Sequence, residues 1–382
     1  MTEPLPDLAT LETPLALVDQ RRLERNIHRM QSAIDALGVR LRPHVKTAKC
    51  VPIAVRQREA GAHGITVSTL KEADEFHAAG FDDILYAVGI VPNKIPHVLA
   101  LRRRGCRLKV VVDSVEAADA LVAAGRAAEH RFEALIEVDV DGQRAGVPPD
   151  SPLLVEIGRL LHDGGVELGG VMTHGGGSYA MRGHDALVAF AEQERSRCVQ
   201  AAARLREAGL PCTTVSVGST PSALFAHSAA GVTEIRAGVY VFHDLVMAGL
   251  GVCRTEDIAL SVLTTVIGHQ PAKGWVLVDA GWMALSRDRG TQSQPIDQGY
   301  GLVCDEAGSV LDEWIVGAAN QEHGIVTHRE GLAPADLRQR FPVGSRLRVL
   351  PNHACATAAQ FNRYLVSAPD GSWSTWARFG GW

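Results

Sequence analysis

At 382 residues the chain is too long for one small core, and two domains are expected. Hydrophobic residues make up 46% and charged residues 21%, the balance of an ordinary soluble globular protein rather than a disordered or fibrous one. The net charge of −5, without a basic run or interleaved aromatic and basic residues, argues against nucleic acid as a partner. No apolar run is long enough to span a bilayer. The acidic start MTEPLPDLATLETPLALVD lacks the basic-then-apolar order of a signal peptide, so a cytoplasmic protein is expected. The cysteines (Cys50, Cys106, Cys198, Cys212, Cys253, Cys304 and Cys355) are scattered and odd in number, which reads as reduced thiols. Without a CxxC pair, any metal site needs mixed ligands.

In chain order, 15–18 reads as a short strand and 21–37 as an amphipathic helix. Eight strand-like runs follow at 39–45, 64–67, 83–86, 109–112, 132–138, 168–172, 213–217 and 234–237. Helical stretches at 51–60, 70–79, 95–104, 115–124, 153–163 and 187–208 lie between most of them. Strands alternating with helices predict parallel βα units, and eight of them a closed (β/α)8 TIM-type barrel. An open doubly wound sheet is the alternative, but no GxGxxG follows the first strand. Past Leu250 the texture changes. Strands over 258–268, 275–278, 302–304, 310–316, 346–350 and 363–367 predict a β-rich second domain. The expected division is a barrel over 20–248 and a β-rich domain from 1–19 and 249–382.

Chemistry in such a barrel gathers at the strand ends. The first strand runs into His44 and Lys46, the fifth into Asp139–Gly146 with Arg144, and the sixth into His174 followed by Tyr179. The seventh ends in Gly218-Ser219-Thr220 and the eighth in Gly238-Val239-Tyr240. A lysine at the end of a buried strand pays for its charge, and that favours the neutral amine a Schiff base needs. Taken alone, such a lysine reads equally well as one that snorkels to solvent. The small residues after the last two strands suit a phosphate. An amine, a phosphate cradle, a histidine and an arginine together fit pyridoxal phosphate.

In the second domain, Pro351-Asn352-His353-Ala354-Cys355 follows a strand. In extended backbone His353 and Cys355 point to one side, and imidazole with thiolate suits zinc or a similar ion. Singly, a His-x-Cys is a poor signal. Asn320-Gln321-Glu322-His323-Gly324 is a second polar cluster, read as a turn, a pocket rim or a support for the ligands.

Five motifs together resemble the fold-type III pyridoxal phosphate enzymes: Arg42-Pro43-His44-Val45-Lys46-Thr47, Gly64-Ile65-Thr66-Val67-Ser68-Thr69, Asp141-Gly142-Gln143-Arg144-Ala145-Gly146, Ser216-Val217-Gly218-Ser219-Thr220-Pro221 and Pro351-Asn352-His353-Ala354-Cys355. More narrowly, the chain resembles the group of D-serine dehydratases, D-threonine aldolases and 3-hydroxy-D-aspartate aldolases. The resemblance implies an alanine-racemase-like barrel plus a β domain, in a homodimer whose active site lies near the subunit interface. It implies Lys46 as the cofactor-binding lysine and His353 with Cys355 as ligands of a divalent metal. Zinc is expected, with manganese, cobalt or magnesium as alternatives. Arg144 is placed near the cofactor's phenolic oxygen and His174 against its ring. Gly218, Ser219, Thr220, Gly238 and Val239 are placed at the phosphate, and Tyr179 and Tyr240 near the cofactor.

The activity implied is loss of the β-hydroxyl from a D-3-hydroxyamino acid, with Lys46, His353 and Cys355 catalytic. D-threo-3-hydroxyaspartate, giving oxaloacetate and ammonia, is the expected substrate. The alternatives are D-serine dehydration and aldol cleavage of D-threonine or 3-hydroxy-D-aspartate. The aldolases tend to carry aspartate where Cys355 stands, which favours elimination. Arg287, Arg289 and His323 are candidates for a second substrate carboxylate. A racemase of this fold needs a second base and no metal, and a small cofactor carrier lacks the second domain.

Overall fold

The computed structural model describes residues 11–382, so the first ten residues of the N-terminal piece assigned to the β-rich domain lie outside the described residues. The chain divides into two compact units: Ile27–Gly238 with Gly381–Trp382, and the residues up to Asn26 with Val239–Gly380.

Strand β1 (Leu15–Asp19) comes first. Then follow β2 (Arg40–Pro43), β3 (Ile65–Val67), β4 (Asp83–Gly89), β5 (Arg107–Val112), β6 (Glu133–Glu137), β7 (Glu167–Met172), β8 (Thr214–Val217) and β9 (Glu234–Ala237). These eight form one parallel sheet in the order β2-β9-β8-β7-β6-β5-β4-β3. The sheet closes rather than staying open. Past the end of β2, His44 bridges Thr66 of β3, and Val45 N–H donates to Thr66 O at 2.9 Å. Helices between strands start on capping side chains: Thr69, Ser114, Ser151 and Ser219 each accept from a first-turn N–H. Buried Leu85, Val111, Leu135 and Met172, on four successive strands, pack as one cluster.

One ion cluster braces this closure. Arg42 on β2 donates through Nε to Glu234 of β9 at 2.8 Å and through Nη1 and Nη2 to Asp83 of β4 at 3.0 and 3.1 Å. Its guanidinium fills the space a Cβ on Gly64 would take, so that position requires glycine. Burial opposes all three charges, yet their mutual attraction wins: Arg42 is raised, while Asp83 and Glu234 are held below the usual carboxylate range. Depressed carboxylates stabilise the fold above their unfolded pKa of about 4, and that contribution is lost as pH falls through the folded values. Arg42→Met takes the ion-pair partner from buried Glu234 and leaves part-buried Asp83 with the longer contacts to His63 and Lys109, at 3.6 and 3.7 Å. It should cost about 3–5 kcal/mol at pH 7, and because burial then raises the carboxylates that Arg42 had held down, the loss should shrink as pH falls, measured as urea midpoints at pH 5 and 7.

The second unit is built on β10 (Leu260–Gln270), β11 (Trp275–Val278), β12 (Gly301–Cys304), β13 (Val310–Ala319), β14 (Gly324–His328), β15 (Arg346–Pro351), β16 (Arg363–Ser367) and β17 (Trp373–Ala377). The sheet runs β11-β14-β13-β12-β15-β10-β1-β16-β17, and β10 pairs with β11 as well, which curls six strands into an antiparallel barrel. β1 joins this sheet between β10 and β16. Trp314, fully buried and edge-on to Phe341, centres the core. Two strands, β14 and β17, were not expected. The polar cluster 320–324 is the turn of the β13–β14 hairpin: Asn320 N–H donates to His323 O at 2.8 Å, and Asn320 O and Gln321 O accept from Trp282 and Met283. Among the described residues no helix is long and apolar enough to cross a membrane.

Candidate active site

In the barrel unit, β2 ends at Pro43, and His44 N–H makes the next bond, to Ala237 O at 2.8 Å. The chain then turns through His44–Lys49, with Lys49 N–H bonding Val45 O at 2.8 Å. Two lysines sit on this turn. Lys49 is neutralised by buried Glu72 at 3.2 Å. Lys46 is half-buried, and among the described residues no carboxylate pairs with it.

The histidines around that amine are held neutral. Burial, then Arg144 and Lys46, push His174 down to about 3. Burial, Lys46 and Arg236 push His44 well below its ordinary value. A neutral His174 has one N–H, and Nδ1, 3.2 Å from Gly218 O, carries it. Its ring is thus an uncharged flat surface tied to the loop after β8. Arg236, buried on β9, donates to Ser216 Oγ and Thr173 O and supplies a fixed positive charge.

The loops after β7 and β8 are bound together from behind. Ser219 caps the helix Thr220–Phe225, and its hydroxyl lies 2.9 Å from that of Ser178. Gly218 stands at φ +123°, and a Cβ there would strike Arg236 O. Buried Glu194 accepts from Gly175 N–H at 2.6 Å and bonds Ser222 and the Gly218 backbone; burial pushes its carboxyl up. At Gly238 a Cβ would lie 3.0 Å from His44 O and 3.2 Å from Thr47 Oγ1.

The remaining barrel candidates are less concentrated. Arg144 is exposed and pairs with Glu137 at 3.1 Å. Tyr179, on the turn Gly176–Ala180, is also exposed. Thr220 is buried. Val239 and Tyr240, both buried, belong to the other compact unit. The set suits pyridoxal phosphate: one uncompensated amine, a neutral histidine ring, and glycine and hydroxyl positions where backbone comes close.

In the β unit, His353 and Cys355 are not on an extended strand. β15 ends at Pro351, and a helix, Ala354–Ala358, begins at once. His353 is its N-cap with extended backbone, φ −129° and ψ 108°, and Cys355 lies inside the first turn. The two side chains nonetheless hydrogen-bond. Six cysteines are buried, and Cys355 is half-buried. Burial pushes the Cys106 and Cys304 thiols up to about 12, which keeps them protonated.

Three residues to which the sequence assigned no role of their own hold this turn. Buried Asp244 accepts from Met247 N–H and Ala354 N–H, both at 2.9 Å. Asn352 binds Thr291 through Oδ1 and Gly299 through Nδ2. Asp288 Oδ2 lies 2.6 Å from His353 Nδ1. Burial opposes a charged His353, but the bonds to Asp288 and Cys355 and the Asp244 charge lift it to about 11.

Among the described residues no three His, Cys, Asp or Glu side chains cluster as a complete metal cage. Two adjacent donors of imidazole and thiolate type suit an ion that keeps positions open, as a catalytic metal does.

Comparison with known proteins bears on both units. Residues 18–245 match the family model of the alanine racemase N-terminal domain, and 259–367 match that of the putative serine dehydratase domain. The chain belongs to the alanine racemase-like, fold-type III pyridoxal phosphate enzymes. Within that family it is a lyase of the dehydratase kind. It is 62% identical to D-threo-3-hydroxyaspartate dehydratase of Delftia sp. (strain HT23), over 98% of this chain and 99% of that one. It is 31% identical to a D-threonine aldolase of Arthrobacter sp., over 97% and 92% of the two chains. A cysteine-to-alanine variant of D-threo-3-hydroxyaspartate dehydratase, solved in a metal-free form, superposes with a TM-score of 0.98 at 61% identity over 100% of both chains. Family membership accords with the closed barrel and the antiparallel β unit described above, and with the expected fold class.

Proposed function

We propose that this enzyme removes the β-hydroxyl of D-threo-3-hydroxyaspartate, releasing oxaloacetate and ammonia, with pyridoxal phosphate and a divalent metal. The observation that carries the reading is His353 beside Cys355 on one helix turn, two metal donors that a racemase has no use for. The identity to a dehydratase over nearly the full chain supports the substrate.

Lys46 would hold the cofactor, with His174 against its ring and Gly218, Ser219, Thr220, Gly238 and Val239 around its phosphate. Arg144, Tyr179 and Tyr240 would complete its surroundings. Bound there, pyridoxal phosphate supplies an electron sink that acidifies the substrate's α-proton. His353 and Cys355 would hold the metal, zinc by donor type, with manganese, cobalt and magnesium as the other candidates. Bound there, a metal supplies a Lewis acid for the departing hydroxide.

The residues' own tasks follow. Lys46 takes the α-proton, since His44 and His174 are engaged or held too weakly basic. The Cβ–O bond breaks, and the oxygen leaves as water. The resulting enamine becomes an imine, takes up one water and yields ammonia and the 2-oxo acid. A homodimer in the cytoplasm completes the proposal.

The β-carboxylate of the substrate requires a cation. Arg289 is committed: it bonds Asp297 at 2.6 Å and stacks on Tyr300. His323 lies in the hairpin turn. Arg287 stacks on Trp282 at 5.0 Å, and among the described residues no carboxylate pairs with it. Arg287 is therefore assigned to the β-carboxylate. Wild-type enzyme should release ammonia from D-threo-3-hydroxyaspartate faster than from D-serine. Arg287→Ala should lower kcat/KM for the dicarboxylate by about 10- to 150-fold, from about 1.5–3 kcal/mol, and leave D-serine unchanged. An equal loss on both substrates would remove Arg287 from this role.

A further inference from the structure

Asp288 is the carboxylate nearest the metal donors whose role the proposed reaction does not use. Its Oδ2 lies 2.6 Å from His353 Nδ1, within the range of a charge-assisted hydrogen bond. As a device for stability this pair is poorly placed, because both side chains are about two-fifths exposed, at 43% and 39%. Exposed ion pairs contribute little to folding.

The Asp288 loop is fastened at both ends. Ser286 Oγ accepts from Asp288 N–H at 3.1 Å. Thr357, on the helix that carries Cys355, donates to Leu285 O at 2.9 Å. Beyond the aspartate, Asn352, next to His353, holds Thr291 by both its N–H and its hydroxyl. The loop and the ligand turn are thus tied by side chains on either side of the Asp288–His353 bond. The other nearby carboxylate does not compete for the task, since the Asp244 oxygens accept from the backbone at Met247 and Ala354.

We infer that Asp288 is a positioning residue for the metal: by occupying Nδ1 of His353 it fixes the ring's orientation and leaves Nε2 as the donor. Metal-bound histidines commonly give their second ring N–H to such a carboxylate, which also makes the donor nitrogen more basic. This inference rests on His353 and Cys355 being the metal ligands. Asp244 and Asn352 set where the turn stands, and Asp288 sets which way the ring faces.

The test is zinc affinity, measured by competition with a chelator of known strength on enzyme carrying its pyridoxal phosphate. Asp288→Ala should weaken zinc binding by about 10- to 100-fold. Asp288→Asn keeps an acceptor for Nδ1–H and should fall between alanine and wild type. The cofactor's absorbance and the thermal midpoint of both variants should stay near those of wild type, which separates lost positioning from lost folding. If both variants bind zinc within twofold of wild type while His353→Ala does not, the inference is overturned and the ligand assignment stands. If His353→Ala itself binds zinc like wild type, the ligand assignment fails and the inference fails with it.

Discussion

Lys46→Ala is expected to lower turnover by about 10⁴-fold or more and to abolish the visible absorbance of lysine-bound cofactor. The size of the effect follows from the lack of a substitute. Lys49, three residues on, is neutralised by Glu72 at 3.2 Å. His44 and His174 are held neutral, and His174, down at about 3, is far too weak a base near neutral pH. The buried Arg236 is already engaged with Ser216 and Thr173. Lys46→Arg should fail as well, because a guanidinium neither forms the cofactor linkage nor gives up its proton. Absorbance spectra and single-turnover ammonia release check the pair, and retained turnover in either variant would contradict the role given to Lys46.

His353→Ala and Cys355→Ala should separate metal from cofactor. Each is expected to keep the cofactor's absorbance and to lose about 10³-fold in elimination, about 4 kcal/mol of the barrier. Hydroxide is a poor leaving group, so the loss should fall on kcat rather than on substrate binding. Wild-type enzyme stripped by a chelator should behave like the variants and recover when metal is returned; the variants should not recover. Full activity of stripped wild type would remove the metal from the account.

The barrel was legible because strand-like runs alternate with helical stretches, four of which start on a capping side chain. Its strand ends could therefore be named before the fold was seen. The residues that tune the site were harder to read. Glu194 lies on the buried stripe of a long helix, with Phe190, Ala191 and Cys198, and a charge at such a position is itself a signal. Asp244 caps only a short helix, Leu245–Gly249, and its second bond, to Ala354, spans more than a hundred residues of chain. No local pattern encodes such a partner. Asp288 sits in the motif Ser286-Arg287-Asp288-Arg289-Gly290, where composition shows charge but not its target.

His353 and Cys355 were paired in the sequence by an argument from extended backbone that the fold replaces. Alternation along a strand requires the strand to continue, and here a helix starts between the two residues. Hairpin β13–β14 was hidden for a similar reason. Its polar turn carries the residue types of a site, and β14 is only five residues long.

Product analysis tests the central claim most directly. Purified enzyme with pyridoxal phosphate and zinc would be given D-threo-3-hydroxyaspartate, and ammonia, 2-oxo acid, glycine and glyoxylate would be followed together. Ammonia and oxaloacetate in equal amounts, without glycine, are the result predicted for an elimination at the β-carbon. Glycine with glyoxylate would mean that the Cα–Cβ bond breaks instead, and that the cysteine beside His353 serves an aldolase.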